Sequence, residues 1–492
     1  MPLALIVLDA KATRHSRNAL LGALDTAADL DDVEIRLAAG ETQLEQHIAE
    51  SAAAGRRPVV AVSCTTPRLD RVRELMTRFG HRTQYHSVQP SRTQSHCVQS
   101  GRSGTPPYES GRSNAPSYGE ALWIAGGPHP TADPEGTLAL GFDVAVLGEG
   151  EATLLDLLRT LDNVRRSLTP SPNVGRSLTP SPNVRRSLTP SCNTGRSETP
   201  SYDVDNLSTV AGTAYRDAAG VVQRTARREP IDLDAFPPFP LRRRRMVGPI
   251  EITRGCPFAC GFCQTSHLLG VRPRHRSIET IVRYAAAIRE RAHCDLRVIT
   301  PNAFSYGSAD GRTLNLPALE SLLSALRRTL RDDGRLFFGT FPSEVRPEHV
   351  TDETLALLKR FANNDYLIIG AQSGSERMLA HCRRGHGVAE VFAATARILA
   401  AGLQPHVDFL FGLPGETEAD LDETVRVVRE LAAMGALIHA HTFMPLPQTP
   451  FAAAPPGRIT GRLRAFIRQM IASGRMYGIW REQELAGQRM AK

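Results

Sequence analysis

The chain has 492 residues, enough for two or three domains with buried cores, and its hydrophobic content of 41% is typical of a globular protein. No apolar run is long enough to span a membrane, and eight cysteines in this length do not make a disulfide scaffold, so we expect a cytoplasmic protein. The net charge of +8 does not indicate a nucleic-acid partner, because the arginine excess lies in two low-complexity stretches, residues 81–118 and 163–201.

The first 162 residues alternate between strand and helix patterns. The N-terminal residues MPLALIVLD predict a buried strand rather than a signal peptide, because no basic leader precedes them. Strands are predicted at 3–8, 33–39, 58–63, 121–125 and 144–147, and helices at 16–28, 42–54, 68–79 and up to about 161. This order predicts an α/β fold, a Rossmann- or flavodoxin-like doubly wound domain. No Gly-x-Gly-x-x-Gly follows the first strand, so a dinucleotide site is not supported.

Two insertions interrupt this pattern. A ten-residue repeat, RSLTPSPNV with one variable residue, starts at Arg166 and again at Arg176, then degrades, and related units lie near residues 101 and 111. Serine, proline and arginine at this density bury too little apolar surface to fold, so we predict disorder for residues 81–118 and 163–204. A phosphorylation or RNA-contact tract is the alternative for these repeats.

The second half of the chain repeats the strand–helix alternation. Residues 205–247 form a connector with a hairpin, an extended proline segment and a basic run, Arg242–Arg245, which we interpret as a solvated face. Strands are predicted at 249–253, 295–300, 335–340, 366–370, 404–411 and 436–443, with helices between them. Six β/α units over 248–455 are followed by a C-terminal helical extension, 456–492, with an amphipathic helix over Gly461–Tyr477.

Three cysteines lie within eight residues, in the run Cys256-Pro-Phe-Ala-Cys260-Gly-Phe-Cys263. Three closely spaced thiolates suit a [4Fe-4S] cluster, since soft sulfur ligands favour iron–sulfur centres, and they would leave the fourth iron open. The alternatives are a zinc site or free thiols, but zinc prefers four ligands, often in Cys-x2-Cys pairs. The cysteines are therefore the predicted metal ligands and the centre of catalysis.

This spacing, with Phe262 before the last cysteine and a strand before the loop, resembles the radical SAM superfamily. The resemblance implies a partial (β/α)6 radical SAM barrel in which the open iron chelates S-adenosylmethionine (SAM). It also implies reductive cleavage of SAM to a 5′-deoxyadenosyl radical, with the electron supplied by a reductase, a flavodoxin or a ferredoxin.

The N-terminal domain resembles the cobalamin-binding domain that precedes many radical SAM barrels, through the segments IAGGPHPT at 124–131 and GFDVAVLGEGE at 141–151. The resemblance implies that Gly126, Gly127 and Gly148 let cobalamin approach the backbone closely. The Asp-x-His-x-x-Gly motif for cobalt ligation is missing. His129, flanked by prolines, is interpreted as a turn residue rather than a ligand.

The same resemblance implies SAM contacts at the ends of the barrel strands. Asn302 occupies the place of the family's amino-group contact, and Glu344 is expected to hold a ribose hydroxyl. Gln372 and Ser373 would offer neutral hydrogen-bonding groups, Arg346 and Arg384 would pair with a carboxylate, and Gly412 would let adenine approach the backbone. The predicted set of contacts is therefore Phe262, Asn302, Glu344, Arg346, Gln372, Ser373, Arg384 and Gly412.

The leading hypothesis is cobalamin-dependent methylation of an unactivated carbon in a small-molecule or unknown substrate. One alternative is a methylthiotransferase acting on tRNA or protein, suggested by Asn302 and the Ser-Tyr-Gly that follows it; that group needs three N-terminal cysteines, and the core there offers only Cys64. A non-methylating rearrangement and a non-catalytic iron–sulfur sensor are the others. Cys294 and Cys382 are isolated and are interpreted as buried thiols or bystanders.

Overall fold

A computed structural model describes residues 1–10, 13–79, 121–168, 204–244, 246–290 and 295–490. The stretches predicted to be disordered, 81–118 and 163–204, lie outside these ranges except at their edges, and that prediction remains one. At one edge, residues 163–168 continue the preceding helix, so the first repeat begins inside regular structure.

The N-terminal sheet has five parallel strands: β1 (Leu3–Leu8), β2 (Glu34–Ala38), β3 (Arg57–Ser63), β4 (Leu122–Gly126) and β5 (Val144–Val146). Their order is β2-β1-β3-β4-β5. The runs LALIVL and PVVAV are almost wholly buried because helices cover both faces of a parallel sheet. This order confirms the predicted flavodoxin-like doubly wound domain and places its topological switch point between β1 and β3.

Helices α1 (Arg14–Asp25), α2 (Glu41–Ala53), α3 (Leu69–Phe79), α4 (Pro128–Ala132), α5 (Pro134–Ala139) and α6 (Gly150–Leu168) connect these strands. The sequence patterns did not predict α4 and α5, which are short and start on Pro128 and Pro134. Proline suits the first turn of a helix because the backbone N–H groups there have no partner within the helix, so the missing N–H of proline costs no hydrogen bond. His129 therefore lies in a helix, and the interpretation of it as a turn residue is wrong.

The connector is bound to the N-terminal domain. Strands β6 (Thr213–Arg216) and β7 (Val222–Arg224) form the predicted hairpin and extend the first sheet antiparallel to β5. Backbone N–H groups of Leu241, Arg242 and Arg243 donate to the Asp25 carboxylate at 2.6–3.0 Å. The Arg242 side chain pairs with Asp31 at 2.7 Å. Arg242 and Arg244 are exposed, as the predicted solvated face requires, but the run also binds α1 and the loop after it; Arg245 lies outside the described residues.

The second domain is a partial barrel. Its strands are β8 (Ile250–Glu251), β11 (Asp295–Ile299), β12 (Arg335–Phe337), β13 (Tyr366–Gln372), β14 (Gln404–Phe411) and β15 (Leu437–Thr442), with a short antiparallel pair, β9 (Thr253–Arg254) and β10 (Arg274–His275), beside the first of them. Neighbouring barrel strands pair parallel, and a bridge between Val345 and Ile369 continues the order from β12 to β13. This arrangement confirms the predicted partial (β/α)6 barrel.

The barrel helices are α7 (Gln264–Leu269), α8 (Ile278–Arg289), α9 (Leu316–Leu330), α10 (Asp352–Phe361), α11 (Glu376–His381), α12 (Val388–Ala400) and α13 (Glu418–Met434). Their starts follow from capping side chains: Thr351 and Thr417 form capping boxes at α10 and α13. Helix α13 ends at Gly435, whose left-handed φ of 114° favours glycine.

The C-terminal segment completes the barrel. Helix α14 (Gly461–Ala472) is shorter than predicted, because Met476–Tyr477 form strand β16, which pairs parallel with β15. Helix α15 (Trp480–Met490) follows, and Arg489 at its end pairs with Asp70 of the N-terminal domain at 2.6 Å. None of the helices in the described ranges is both long and apolar enough to cross a lipid bilayer.

Replacing Trp480 with alanine should lower the free energy of unfolding by about 3–5 kcal/mol, because the indole is buried in the barrel core and truncation leaves a cavity. Denaturant unfolding checks this value. Ile479→Ala is the matched control, since Ile479 is 56% exposed and its truncation should change stability little. Equal effects of the two variants would contradict the packing of α15 into the barrel.

Candidate active site: two adjoining cavities at the three-cysteine loop

The three cysteines lie on a loop between β9 and α7 that its own backbone contacts hold in shape. The Ser266 hydroxyl donates to the carbonyl of Cys256 at 2.6 Å and accepts from the N–H of Ala259 at 3.2 Å. Gly255 enters the loop with φ of 91°, where a Cβ would lie 2.5 Å from the Arg272 carbonyl. All three cysteines line one cavity, as a shared metal cluster requires.

The thiols have polar neighbours suited to thiolates. Arg384 donates from Nη1 to Cys260 Sγ at 3.4 Å, and the Thr265 hydroxyl lies 3.4 Å from Cys263 Sγ. Burial raises the pKa of Cys263, so its thiolate needs the positive charge of bound iron to form near neutrality. The other cysteine near the loop, Cys382, packs in an apolar cluster with Phe262, and burial raises its pKa to about 12.

The cysteine cavity has a volume of about 590 Å³ and occupies the carboxyl end of the barrel strands. The structure brings five of the predicted SAM contacts to its wall: Phe262, Glu344, Arg346, Gln372 and Arg384. Arg384 has protein partners already, because it also donates to the carbonyl of Gly370 at 2.6 Å. The Arg346 guanidinium stacks on Phe258 at 3.4 Å and pairs with Glu348.

Asn302, Ser373 and Gly412 are not brought to this wall. Asn302 contacts His349 at 2.6 Å, and the Ser373 hydroxyl contacts Thr424 at 3.3 Å. A Cβ on Gly412 would lie 2.8 Å from Gly457, so the close approach there is made by the chain's own backbone, not by a ligand. The geometry therefore gives these three residues structural contacts and lends no support to their predicted cofactor roles.

A second cavity of about 610 Å³ lies at the carboxyl edge of the N-terminal sheet, next to its topological switch point. The three predicted glycines, Gly126, Gly127 and Gly148, line it, while His129 lies outside its wall. Its lining is mainly apolar, and the Ser63 hydroxyl on it is buried without a hydrogen-bond partner. Phe262 and Cys263 line both cavities, so the two spaces meet at the cysteine loop.

A buried ionic cluster holds the two domains together at this junction. Arg254, on the strand before the cysteines, contacts Glu151 at 2.9 Å, Glu251 at 2.5 Å and Glu149 at 3.5 Å. Arg274 also pairs with Glu149. Although burial alone would raise the pKa of Glu251, Arg254 and His15 hold that pKa well below its usual range.

Sequence reasoning missed three polar residues that line the barrel cavity, Asp408, His441 and Gln483, and a fourth, His439, that contacts two of them. Asp408 lies opposite His439 in the register of β14 and β15. The alternation of His439 and His441 within a predicted strand was the available signal, since residues two apart share a face. Gln483 lies in the C-terminal extension, to which we assigned no chemistry, yet it lines the cavity.

Comparison with known proteins relates the barrel and its cysteine loop to one protein family. Residues 250–428 match the sequence profile of the Radical SAM superfamily. The barrel is a radical SAM domain. This confirms the predicted superfamily and, through it, the [4Fe-4S] cluster and SAM as its cofactors.

Two solved structures share the fold of most of the chain. TsrM, a radical SAM methyltransferase from Kitasatospora setae with bound cobalamin and [4Fe-4S] cluster, superposes with a TM-score of 0.59 at 17% identity, over 92% of this chain and 77% of that one. OxsB, a cobalamin-dependent radical SAM enzyme, superposes with a TM-score of 0.56 at 14% identity, over 87% and 52%. At these identities the likeness concerns the fold, in which a radical SAM barrel follows an N-terminal domain.

Among curated relatives, a tRNA-2-methylthio-N(6)-dimethylallyladenosine synthase from Alkalilimnicola ehrlichii is 28% identical over 220 residues, 42% of this chain and 46% of that protein. The chain spans less than half the length of the curated relatives that it matches first. Their similarity therefore describes part of each protein and not a shared whole.

Replacing Arg254 with alanine should lower the free energy of unfolding by about 3–5 kcal/mol, because it leaves buried carboxylates without their cation. Since Arg254 keeps the folded-state pKa of Glu251 below its unfolded value, this contribution is complete above the ordinary glutamate range and is lost as pH falls through the lowered pKa. Urea unfolding at neutral and acidic pH measures both effects. The exposed Arg272→Ala control should change neither; equal losses in both variants would contradict the role of the ionic cluster.

Proposed function

We propose that the protein is a cobalamin-dependent radical SAM methyltransferase, with the cluster and SAM in the barrel cavity and cobalamin in the second cavity. The observation that supports this most is the meeting of the two cavities at Phe262 and Cys263. When bound, the cluster and SAM supply hydrogen-atom abstraction and cobalamin supplies a methyl group, two steps that must act on one substrate carbon.

The second cavity, about 610 Å³ in volume and lined mainly by apolar groups, suits one face of a large ring system. Its glycine edge leaves the strand ends uncovered: a Cβ on Gly148 would meet nothing within 4 Å. The unpartnered Ser63 hydroxyl gives a buried donor for a polar substituent of such a ligand. Cobalamin satisfies both features, and the fold shared with two cobalamin-binding enzymes supports this choice.

The protein's own residues position the reactants and exclude water. Phe262 and Leu446 contribute to the walls of both cavities and would shield the passage between them. Arg384, donating to Cys260, stabilises the thiolate that binds iron. Glu344 and Gln372 line the same cavity and offer hydrogen-bonding groups for SAM or substrate.

A methylthiotransferase is the second candidate, favoured by the similarity to the tRNA-modifying synthase. That activity calls for a second cluster in the N-terminal domain. In the part of that domain that the structure describes, Cys64 is the one cysteine, and burial raises its pKa to about 12. The described residues of the N-terminal domain therefore offer no site with three thiolate ligands, and the methyltransferase is the better supported proposal.

Anaerobic reconstitution should yield about four iron atoms per chain, held by three cysteines, and cleavage of SAM to 5′-deoxyadenosine under dithionite. Replacing Cys256, Cys260 and Cys263 together with alanine should remove both the iron and the cleavage. Cys382→Ala is the matched control, a buried cysteine beside the loop but outside the three, and it should keep both. About eight iron atoms per chain would favour the methylthiotransferase instead.

Gly126→Leu should abolish cobalamin binding but leave SAM cleavage within about two-fold, because the new side chain fills the second cavity alone. Gly126 tolerates a Cβ, whose nearest neighbour would be Val146 at 3.8 Å, so the backbone need not move. Gly40→Leu is the control, in the same domain with nothing within 4 Å of the new Cβ. Cobalamin retained by Gly126→Leu after reconstitution and gel filtration would contradict the assigned cavity.

A further inference from the structure

A chain of hydrogen bonds lies on the inner face of β14 and β15 and reaches the barrel cavity. Asp408, His441 and Gln483 line that cavity, and His439 lies behind them. His439 Nδ1 lies 2.9 Å from Asp408 Oδ1 and 3.1 Å from His441 Nε2. These side chains do not hold the cysteine loop, so their clustering calls for another explanation.

The direction of these hydrogen bonds follows from Gln483. The N–H of Thr442 donates to Gln483 Oε1 at 3.0 Å, which fixes the orientation of the side-chain amide. The amide NH2 therefore faces His441 Nδ1, at 3.1 Å, and donates to it. With Nδ1 accepting, a neutral His441 carries its hydrogen on Nε2.

That hydrogen determines the state of the next residues. Burial lowers the pKa of His441 to about 4, so the ring is neutral near pH 7, and its Nε2–H donates to His439 Nδ1. His439 Nδ1 is then an acceptor, yet Asp408 Oδ1 faces the same nitrogen at 2.9 Å. Two acceptors at this distance need a hydrogen between them, which places a proton on Asp408.

The electrostatic surroundings agree with this assignment. Burial raises the pKa of Asp408 to about 7, although a hydrogen bond with Glu344 and the charge of Arg384 lower it. Burial, the charge of Asp408 and the same hydrogen bond raise the pKa of Glu344 to about 8, so both carboxyl groups hold protons near neutral pH and Glu344 can donate to the Asp408 oxygen that does not face His439. The groups that face Asp408 are Glu344 after β12, His439 and His441 on β15, Arg384 after α11 and Tyr477 on β16. Within the described residues, no lysine or arginine makes an ion pair with Asp408 or Glu344.

A metal site is the other interpretation, because Asp408, His439 and His441 place three ligand atoms within 4.8 Å of one another. A metal-bound imidazole donates its second N–H to an acceptor. Here the second nitrogen of His441 faces the NH2 donor of Gln483. The geometry therefore favours a site that holds a proton over one that holds a cation.

We propose that Asp408, supported by His439 and Glu344, is an acid–base residue that exchanges a proton with an O–H or N–H group of the substrate in the barrel cavity. In one direction the substrate O–H or N–H bond breaks, its electron pair stays on the oxygen or nitrogen, and the proton bonds to an Asp408 carboxylate oxygen. The reverse step returns it. No electron is transferred, so no oxidant or reductant is needed.

His439 gives this proton a route to solvent. Its side chain is 23% exposed, although it does not line the cavity. The ring stacks on Tyr477 at 4.4 Å, and Tyr477 is itself 37% exposed. Asp408 can thus recover its protonation state without opening the cavity where a radical reaction must be kept dry.

The inference rests on the proposed function in one respect: that the substrate enters the barrel cavity. The protonation of Asp408 does not depend on the proposed function, and infrared spectroscopy of the protein tests it. The carbonyl stretch of a protonated carboxyl group should be present near pH 6 and should decrease in Asp408→Asn. His406→Gln is the matched control, two residues away on β14 and bonded to Tyr477 instead, and it should keep the Asp408 signal.

The catalytic part is tested with SAM alone and with SAM plus the small-molecule fraction of a cell extract. Asp408→Asn should lower methyl transfer from labelled SAM into extract compounds by about 100-fold or more. The loss of methyl transfer should exceed any loss of SAM cleavage without extract by at least about 10-fold, because proton exchange with the substrate is needed only for the transfer. His406→Gln should retain both activities.

Several results would overturn the proposal. An unchanged infrared band in Asp408→Asn would show that Asp408 carries no proton. Equal losses of methyl transfer and of SAM cleavage would assign Asp408 to SAM binding. One equivalent of added Zn²⁺, bound by the wild type but not by His439→Gln or His441→Gln, would establish a metal site. A wild type that cleaves no SAM would instead contradict the proposed function and leave the infrared test standing.

Discussion

The ion pairs of Arg254 are the constraint on which the arrangement of the site depends. Arg254 lies two residues before Cys256, and its guanidinium reaches carboxylates from both domains, Glu151 in the first and Glu251 in the second. Burying such charges is costly unless each is paired, so the network is stable in one relative placement of the domains. That placement brings the cysteine loop against the carboxyl edge of the N-terminal sheet.

The fold follows from the sequence to a large extent, because parallel α/β structure leaves strong local signals. The apolar strands at 3–8 and 404–411 lie where the sequence predicts them, and helix α13 has sharp ends because Thr417 and Gly435 terminate it. The sequence-based predictions fall short where contacts between residues far apart in the chain determine the structure. Met476–Tyr477 continue an amphipathic pattern yet form a strand, since β15 offers an unpaired edge. The binding of Arg242 and Arg243 by Asp25 and Asp31, far away in sequence, likewise leaves no local signal.

In the candidate site, too, some residues were predictable from the sequence and others were not. The cysteines were recognisable because their ligand chemistry depends on short spacing. Glu344, Gln372 and Arg384 were found through family order, and they do line the cavity. Gly412 was predicted from the same reasoning, but its positive φ serves contact with Gly457. Spacing relates only His439 and His441 of the cluster around Asp408, since the cluster as a whole joins two strands and the distant helix that carries Gln483.

Under the proposed function, the two adjoining cavities would hold the two cofactors that act on one substrate. If they hold a reduced cluster and cobalamin as proposed, two paramagnetic centres lie on either side of the passage at Phe262. Electron paramagnetic resonance of the anaerobic protein, loaded with cob(II)alamin and then reduced, measures this directly. The account predicts a magnetic interaction that broadens or splits the cobalt and cluster signals. Two unperturbed signals that simply add would contradict it.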